Sequence, residues 1–282
     1  MSEQLTTSQS IRDANANSYA LGSYALAPFN MLKAELVGVY GTELLNDLNK
    51  IIKCYQVYER GADFNSEGAK DYTPSDMRFK LAKSLINKEA RFMFAQTPSI
   101  TIRTSDKAIK TAETQSYVEE VLKKNKFGIK LLRAGKDCFI GKRVAIIVDF
   151  NDKGVFLSFA PSLEFIYESD PDDVDRVTKF VRFWTIHDSY NKMEQRIFKK
   201  KYWLDENGFC HISEGIYNGT GSVVEVRRED LKTALTEIPV HIIINDGLTG
   251  DPMGESEVEE LVEYESNYNN WQTLILTACA KE

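Results

Sequence analysis

Residues 238–269, IPVHIIINDGLTGDPMGESEVEELVEYESNYN, read in immediate succession as an apolar strand, a sharp turn and the start of a long helix. Ile238 to Ile244 is dominated by β-branched side chains and ends at Asn245. Asp246 to Gly254 then holds three glycines and a proline, the composition of an abrupt change of direction. Ser256 stands at the N-cap position with Glu259 three residues on, a capping box, and Glu257 and Glu260 add charge that a helix N-terminus favours. Beyond it Val258, Leu261, Val262, Tyr264, Tyr268, Trp271, Leu274, Ile275 and Ala278 keep helical spacing, with no glycine or proline to end the run. The expectation is a helix unfinished at Glu282, and so a chain that is the front part of a longer protein.

Upstream, short alternating strands predominate. Val144 to Phe150, the turn Asn151-Asp152-Lys153-Gly154 and Val155 to Phe159 predict a hairpin. Phe165 to Tyr167, an acidic turn at Asp170 to Asp173, and Thr178 to Ile186 continue the pattern. Lys199 to Leu204 and Phe209 to Ile212 flank a further turn at Asp205 to Gly208.

Helices precede the strands. Apolar positions Leu32, Leu36, Val39, Tyr40, Leu44, Leu45, Leu48, Ile51 and Ile52 recur at helical spacing around Gly41, predicting one kinked helix or two. Gly61 to Tyr72 is a polar loop, and Thr73-Pro74-Ser75-Asp76 supplies a helix start for Met77 to Ala95. Pro98 ends that helix, Ser99 to Arg103 alternates as a strand, and helices follow over Ala108 to Lys124 and Phe127 to Cys138. Antiparallel strands beside helices give an α+β class. Residues 1–30, rich in Ser, Asn, Ala and Tyr, read as an arm, 31–250 as one α+β domain, and 251–282 as the start of the long helix.

Composition sets outer limits. The 282 residues are 43% hydrophobic and 27% charged, ordinary for globular protein. With no apolar run of membrane length and no signal-peptide order at MSEQLTTSQS, a soluble, cytosolically made protein with no membrane partner is expected. A net charge of −7 disfavours wrapping nucleic acid, which needs clustered cations. Cys54, Cys138, Cys210 and Cys279 form no CxxC pair and read as reduced, mostly buried thiols.

No reaction chemistry is legible. Neither GxxxxGK[ST] nor GxGxxG occurs, and Gly219-Thr220-Gly221-Ser222 reads as a surface turn because no amphipathic helix follows it. His187, His211 and His241 have no metal-ligand spacing, and the neighbours Cys210 and His211 would face opposite sides of a strand. The carboxylates of Asp170 to Asp175 and Glu255 to Glu265 are explained by a turn and a solvated helix end more cheaply than by Mg²⁺. No catalytic, cofactor or metal residue is assigned.

Four pieces, in order, carry a resemblance: FMFAQTPSITI (Phe92 to Ile102), KDCFIGKRVAIIVDFNDKGV (Lys136 to Val155), EFIYESD (Glu164 to Asp170) and the opening stretch Ile238 to Asn269. Together they resemble the portal proteins of tailed bacteriophages, of the SPP1-type family. The resemblance implies a wing-like body over residues 31–250 and a stem-like helix from Ser256, with clip, second stem helix and crown missing from this chain. It implies a homo-oligomeric ring, a dodecamer when full length, at one capsid vertex of the virion, assembled in the bacterial cytoplasm. Its partners would be double-stranded DNA passing through, terminase, scaffold or major capsid protein, and a tail adaptor. Its roles would be procapsid assembly, genome packaging, retention and ejection, and head–tail joining, with no enzyme activity of its own. Glu257, Glu260, Glu263 and Glu265 would then be candidate channel-facing residues, although an outward solvated face fits the same positions. Two alternatives stand beside this reading, another phage head or head–tail connector protein and a metal-dependent nucleic-acid enzyme.

Overall fold

The computed structural model describes residues 41–62, 79–103, 111–151, 154–186, 196–218, 221–246 and 253–279. The expected N-terminal arm, the helical spacing of Leu32 to Tyr40 and the Thr73 helix start lie outside the described residues. Among the described residues the fold is α+β, five helices and two antiparallel sheets, with a long helix last.

The helices are α1 (Gly41–Arg60), α2 (Leu81–Phe94), α3 (Thr111–Lys124), α4 (Phe127–Gly141) and α5 (Glu257–Cys279). In α1, Leu48, Ile51 and Tyr55 at i, i+3 and i+7 turn one stripe inward; in α2, Ala82, Ile86 and Ala90 do the same. Small residues on α2 let α4 come close. A Cβ on Gly135 of α4 would stand 2.3 Å from the Phe94 ring, so only glycine fits that contact.

The first sheet has the order β2-β1-β8, from β1 (Arg143–Asn151), β2 (Gly154–Pro161) and β8 (Val240–Ile244). The expected hairpin is present, in register from Val144↔Pro161 to Asn151↔Gly154, and β8 pairs the other edge of β1 from Arg143↔Ile244 to Ile147↔Val240. The second sheet is a five-stranded meander, β3 (Phe165–Ser169), β4 (Val177–Ile186), β5 (Arg196–Leu204), β6 (Cys210–Asn218) and β7 (Val223–Lys232).

Strand β4 is buried on both sides. Phe180 joins Ala145, Ile147, Ala160, Tyr202 and Ile212 in the core between the sheets, while Val181 and Phe183 join the helical core with Leu48, Ile51 and Ile86. Alternation along one strand thus welds the two layers together. Full burial of Phe180, Phe183 and Tyr202 contributes roughly 1.5–3 kcal/mol each for the aromatic bodies.

Two sequence expectations need correction, and one strand was not foreseen. Ser99 to Arg103 is extended but pairs with no strand among the described residues. The Gln115 side chain takes the place of a neighbouring strand there, accepting the Ile102 N–H at 2.9 Å and donating to the Ile100 carbonyl at 2.8 Å. The helix expected from Met77 begins at Leu81, with Phe79 and Lys80 non-helical. Its N-terminal amides are satisfied from another helix, as described below. Finally β7 has no counterpart in the sequence reading, because all ten of its residues are exposed and no apolar alternation marks it.

Candidate functional site

The strand and the helix expected on either side of the turn are present as β8 and α5, and residues 247–252 of the turn lie outside the described residues. Asn245 donates its backbone N–H to the Lys142 carbonyl at 2.7 Å and accepts that of Glu255 at 2.8 Å, closing the turn on itself. Gly254 has φ +67°, and a Cβ there would stand 2.8 Å from the Asn245 carbonyl oxygen and 2.9 Å from that of Lys142. Ser256 Oγ accepts the Val258 N–H at 3.2 Å and donates to the Ile140 carbonyl at 2.7 Å, so the cap also fastens α5 to the end of α4.

Glu259, the expected capping-box partner, turns outward to cations. It lies 3.2 Å from Lys142 and 3.5 Å from Lys50. Lys142 is itself 3.0 Å from Asp47, and Arg143 is 3.1 Å from the other Asp47 oxygen and donates to the Met253 carbonyl at 2.9 Å. Asp47, Lys142 and Arg143 are buried, so this is one hydrogen-bonded ion network joining α1, the α4–β1 corner and α5. Hydrogen bonds and charge from Asp47 and Glu259 outweigh burial and hold the Lys142 ammonium above its ordinary range. Lys142 also takes the left-handed conformation, φ 70°, that ends α4.

The four candidate glutamates part company. Glu260 and Glu263 are exposed. Glu257 is half-buried and accepts from the Asn245 side-chain amide at 3.3 Å. Glu265 is fully buried, its two oxygens accepting the N–H of Ala62 at 3.0 Å and of Ala82 at 2.8 Å. Asn269, one turn on, accepts the Phe79 N–H at 3.0 Å. Glu265 is therefore a capping group for α2 in this fold and faces no surface. The signal for it was present in the sequence. Glu265 and Asn269 stand four apart and continue the inward stripe of Val258, Leu261 and Val262, where carboxylate and amide need buried donors.

From Tyr264 onward the helix also carries an apolar side that is uncovered. Tyr264, Tyr268, Trp271, Leu274 and Ile275 are 70%, 43%, 67%, 63% and 53% exposed. Tyr264, Tyr268, Trp271 and Ile275 fall at intervals of four, three and four, the spacing by which one helix meets another. Only Tyr268 is drawn partly inward, its ring 5.4 Å from that of Phe79.

A second feature is a cleft of about 610 Å³ between the sheets. Its walls are Ile147, Asp149, Phe150, Phe156 and Ser158 from the hairpin, and Arg182, Trp184, Phe198, Lys200, Tyr202, Glu214, Arg227 and Arg228 from the meander. Lys200 bridges the sheets at its floor, paired with Asp149 of β1 and, at 2.8 Å, with Glu214 of β6. Tyr202 and these carboxylates hold the Lys200 ammonium well above its usual range against the burial that opposes it. Arg182 pairs with Glu164 at 2.9 Å and lies over the Trp184 ring; Arg227 lies over Phe198.

Among the described residues the other candidate side chains lie apart from one another. Cys210 is buried, whereas His211 turns to the Asp230 and Asp205 carboxylates, whose hydrogen bonds raise its imidazole above the ordinary value. His241 is exposed and His187 lies outside the described residues. Cys54 and Cys138 are buried, and desolvation pushes the Cys138 thiol up to about 12. Among the described residues no three His, Cys, Asp or Glu side chains are grouped to hold a metal ion, and no helix is long and apolar enough to cross a membrane. The chain matches no protein-family model and no curated protein.

Proposed function

We propose that this chain is a non-catalytic subunit of a bacteriophage portal, a ring of identical copies at one capsid vertex through which double-stranded DNA passes. The observation that carries the reading is the uncovered stripe Tyr264, Tyr268, Trp271 and Ile275 on a helix whose neighbouring face is locked into the body. An apolar stripe at this spacing, left in water, asks for a neighbouring helix, and identical copies set around an axis supply one. Glu260 and Glu263 support the same arrangement, since exposed carboxylates on such a helix would repel a sliding polyanion and keep it from adhering. The ring would join terminase, scaffold or major capsid protein, and a tail adaptor in the virion.

Negative-stain electron microscopy of the protein expressed from its whole reading frame tests this. Closed rings of one subunit number are expected. A strictly monomeric protein at all concentrations overturns the reading. Rings whose Glu260→Lys/Glu263→Lys form packages DNA unchanged keep the ring and remove the channel-facing role of these two residues.

A further inference from the structure

We propose that His211 is a proton-operated latch on the edge strand β7, holding it to β6 when the imidazole is charged and loosening it when the imidazole is neutral. The inference goes beyond the ring reading and does not rest on it.

The strand to be held has no anchor in the core. All ten residues of β7 are exposed, so main-chain pairing and surface side chains must keep it in place. That pairing changes register three times. The irregularity nearest the C-terminal end of β7 lies between Ile212 and Glu214 of β6, where Ser213 stands opposite two residues, Glu229 and Asp230. Beyond it, Ile212↔Leu231 and His211↔Lys232 are the last pairs, and the Thr233 N–H donates to the Cys210 carbonyl at 2.9 Å. Asp230 therefore sits where the ladder is interrupted, and its carboxylate reaches across to His211. Two further side chains fasten the strand, Arg228, 3.6 Å from Glu214, and Lys232, 2.9 Å from Asp205.

Both ring nitrogens of His211 face carboxylates. Nδ1 lies 2.5 Å from Asp230 Oδ1, and Nε2 lies 3.3 Å from Asp205 Oδ2. An imidazolium donates from both nitrogens, whereas a neutral ring has one N–H and turns its other lone pair on a carboxylate oxygen. Neither neutral tautomer satisfies the site. With the proton on Nδ1, the Nε2 lone pair is pressed against Asp205, which the Lys232 ammonium and the N–H groups of Phe209 at 2.8 Å and Asn207 at 2.9 Å hold in its turn. With the proton on Nε2, Asp230 meets a lone pair instead of a donor. Asp230 has His211 as its one ion-pair partner among the described residues. When the proton leaves to water, the charge-assisted bond to Asp230 becomes at most a neutral one.

The balance of charge agrees with the geometry. Facing the imidazole are Asp230 and Lys232 from β7 and Asp205 from the turn between β5 and β6. From β5 comes the Trp203 ring, 5.5 Å away, with Lys201 Nζ 4.7 Å from the centre of that ring. Two carboxylates and the Lys232 ammonium leave one negative charge, which the imidazolium cancels. Hydrogen bonds to Asp230 first and to Asp205 next raise the imidazole above its ordinary 6.5, against the desolvation that opposes them. The latch is therefore closed below pH 6.5 and opens as pH rises beyond it through the raised value.

Hydrogen exchange followed by mass spectrometry tests the latch on the whole chain, in whatever assembly it forms. Exchange of the imidazole C2 hydrogen reports the titration of His211. Amide exchange in peptides covering residues 223–235, corrected for the intrinsic rate at each pH, reports the hold on β7. Protection there is expected to fall about fivefold between about pH 6 and pH 9, with its midpoint at the His211 titration, while the β1–β2 hairpin keeps its protection. His211→Gln should hold β7 at the parent's high-pH level throughout. Asp230→Asn should lower the His211 titration and leave β7 without a response at the parent's midpoint. Constant protection of β7 across the parent's His211 titration overturns the latch, as does a response that survives in His211→Gln. Should His211→Gln fail to fold, Asp230→Asn decides, and a β7 response that stays at the parent's midpoint while His211 titrates lower overturns the proposal.

Discussion

Glu265 Oε2 accepts the backbone N–H of Ala82 at 2.8 Å, from one helix to the first turn of another 183 residues earlier in the chain. The other oxygen accepts the Ala62 N–H, so one buried carboxylate serves the end of α1 and the start of α2 together. The first turn of α2 has no acidic residue, and its N-cap Lys80 makes no side-chain capping bond. The capping charge that a helix N-terminus favours is thus supplied by α5. Glu265→Ala should cost about 2–4 kcal/mol, from two buried donors left unpaired. Glu265→Gln, keeping the shape and one acceptor oxygen, should cost less. Urea unfolding measures both, and a Glu265→Ala protein as stable as the parent would contradict this assignment.

How much of this could be read in advance follows from where each signal resides. The hairpin at Asn151–Gly154, the meander through Gly208 and the start of α5 at Ser256 are encoded within a few residues of themselves, in turn and cap chemistry, and all are present. The start of α2 is encoded elsewhere, in Glu265 and Asn269, and no local pattern announces it. Strand β7 was illegible for a different reason. Its residues are held by main-chain pairing to β6 and bury nothing, so hydrophobic periodicity is silent. Ser99 to Arg103 is the converse, a strand-like alternation whose hydrogen bonds go to the Gln115 side chain. Of the candidate site, the exposed stripe of α5 could be listed residue by residue. That Glu265 is internal could be read from its place on the inward stripe of Val258, Leu261 and Val262, but which donors it serves could not. The cleft was illegible because Asp149, Lys200 and Arg227 are distant in sequence and meet only when the two sheets pack.

The Lys200 cluster yields a second prediction. Lys200→Met leaves Asp149 and Glu214 without their shared cation in a largely buried place, and should cost about 3–5 kcal/mol. Adding Asp149→Asn and Glu214→Gln removes the stranded charges and should recover most of the loss. Equal instability of the single and triple variants, by thermal melting, would show that packing of the lysine stem, not charge pairing, is what matters.

A pH dependence follows from Asp137. Burial pushes its carboxyl up to about 6, with Glu164 adding to the rise and the Tyr55 hydroxyl bond and Lys136 opposing it. Glu164 is raised as well, by burial, against the pull of Arg182. A raised carboxyl holds its proton more tightly folded than unfolded. Stability from this group is therefore greatest below pH 3.8, declines as pH rises toward about 6, and stays at its lower level above that. Asp137→Asn keeps an acceptor for the Tyr55 hydroxyl and removes the titration. Relative to the parent it should gain at most about 3 kcal/mol at pH 8 and little at pH 4. A gain independent of pH would show that the carboxyl does not titrate in this window.

The exposed stripe of α5 separates assembly from folding. Trp271 and Ile275 touch little of their own subunit, so Trp271→Glu/Ile275→Glu should leave the melting temperature of the dilute monomer unchanged. The first half of the helix, fixed by Ser256, Glu259 and Glu265, should keep its place for the same reason. Two carboxylates set into a helix-to-helix seam must be desolvated when that seam closes, and like charges on every copy repel around a ring. Self-association should fall at least tenfold by analytical ultracentrifugation, and addition of salt should restore little of it, since burial of the carboxylates costs more than their screened repulsion. Unaltered assembly would mean that copies meet through other surfaces. A drop in monomer stability would place the stripe against the body instead, covered by chain outside the described residues.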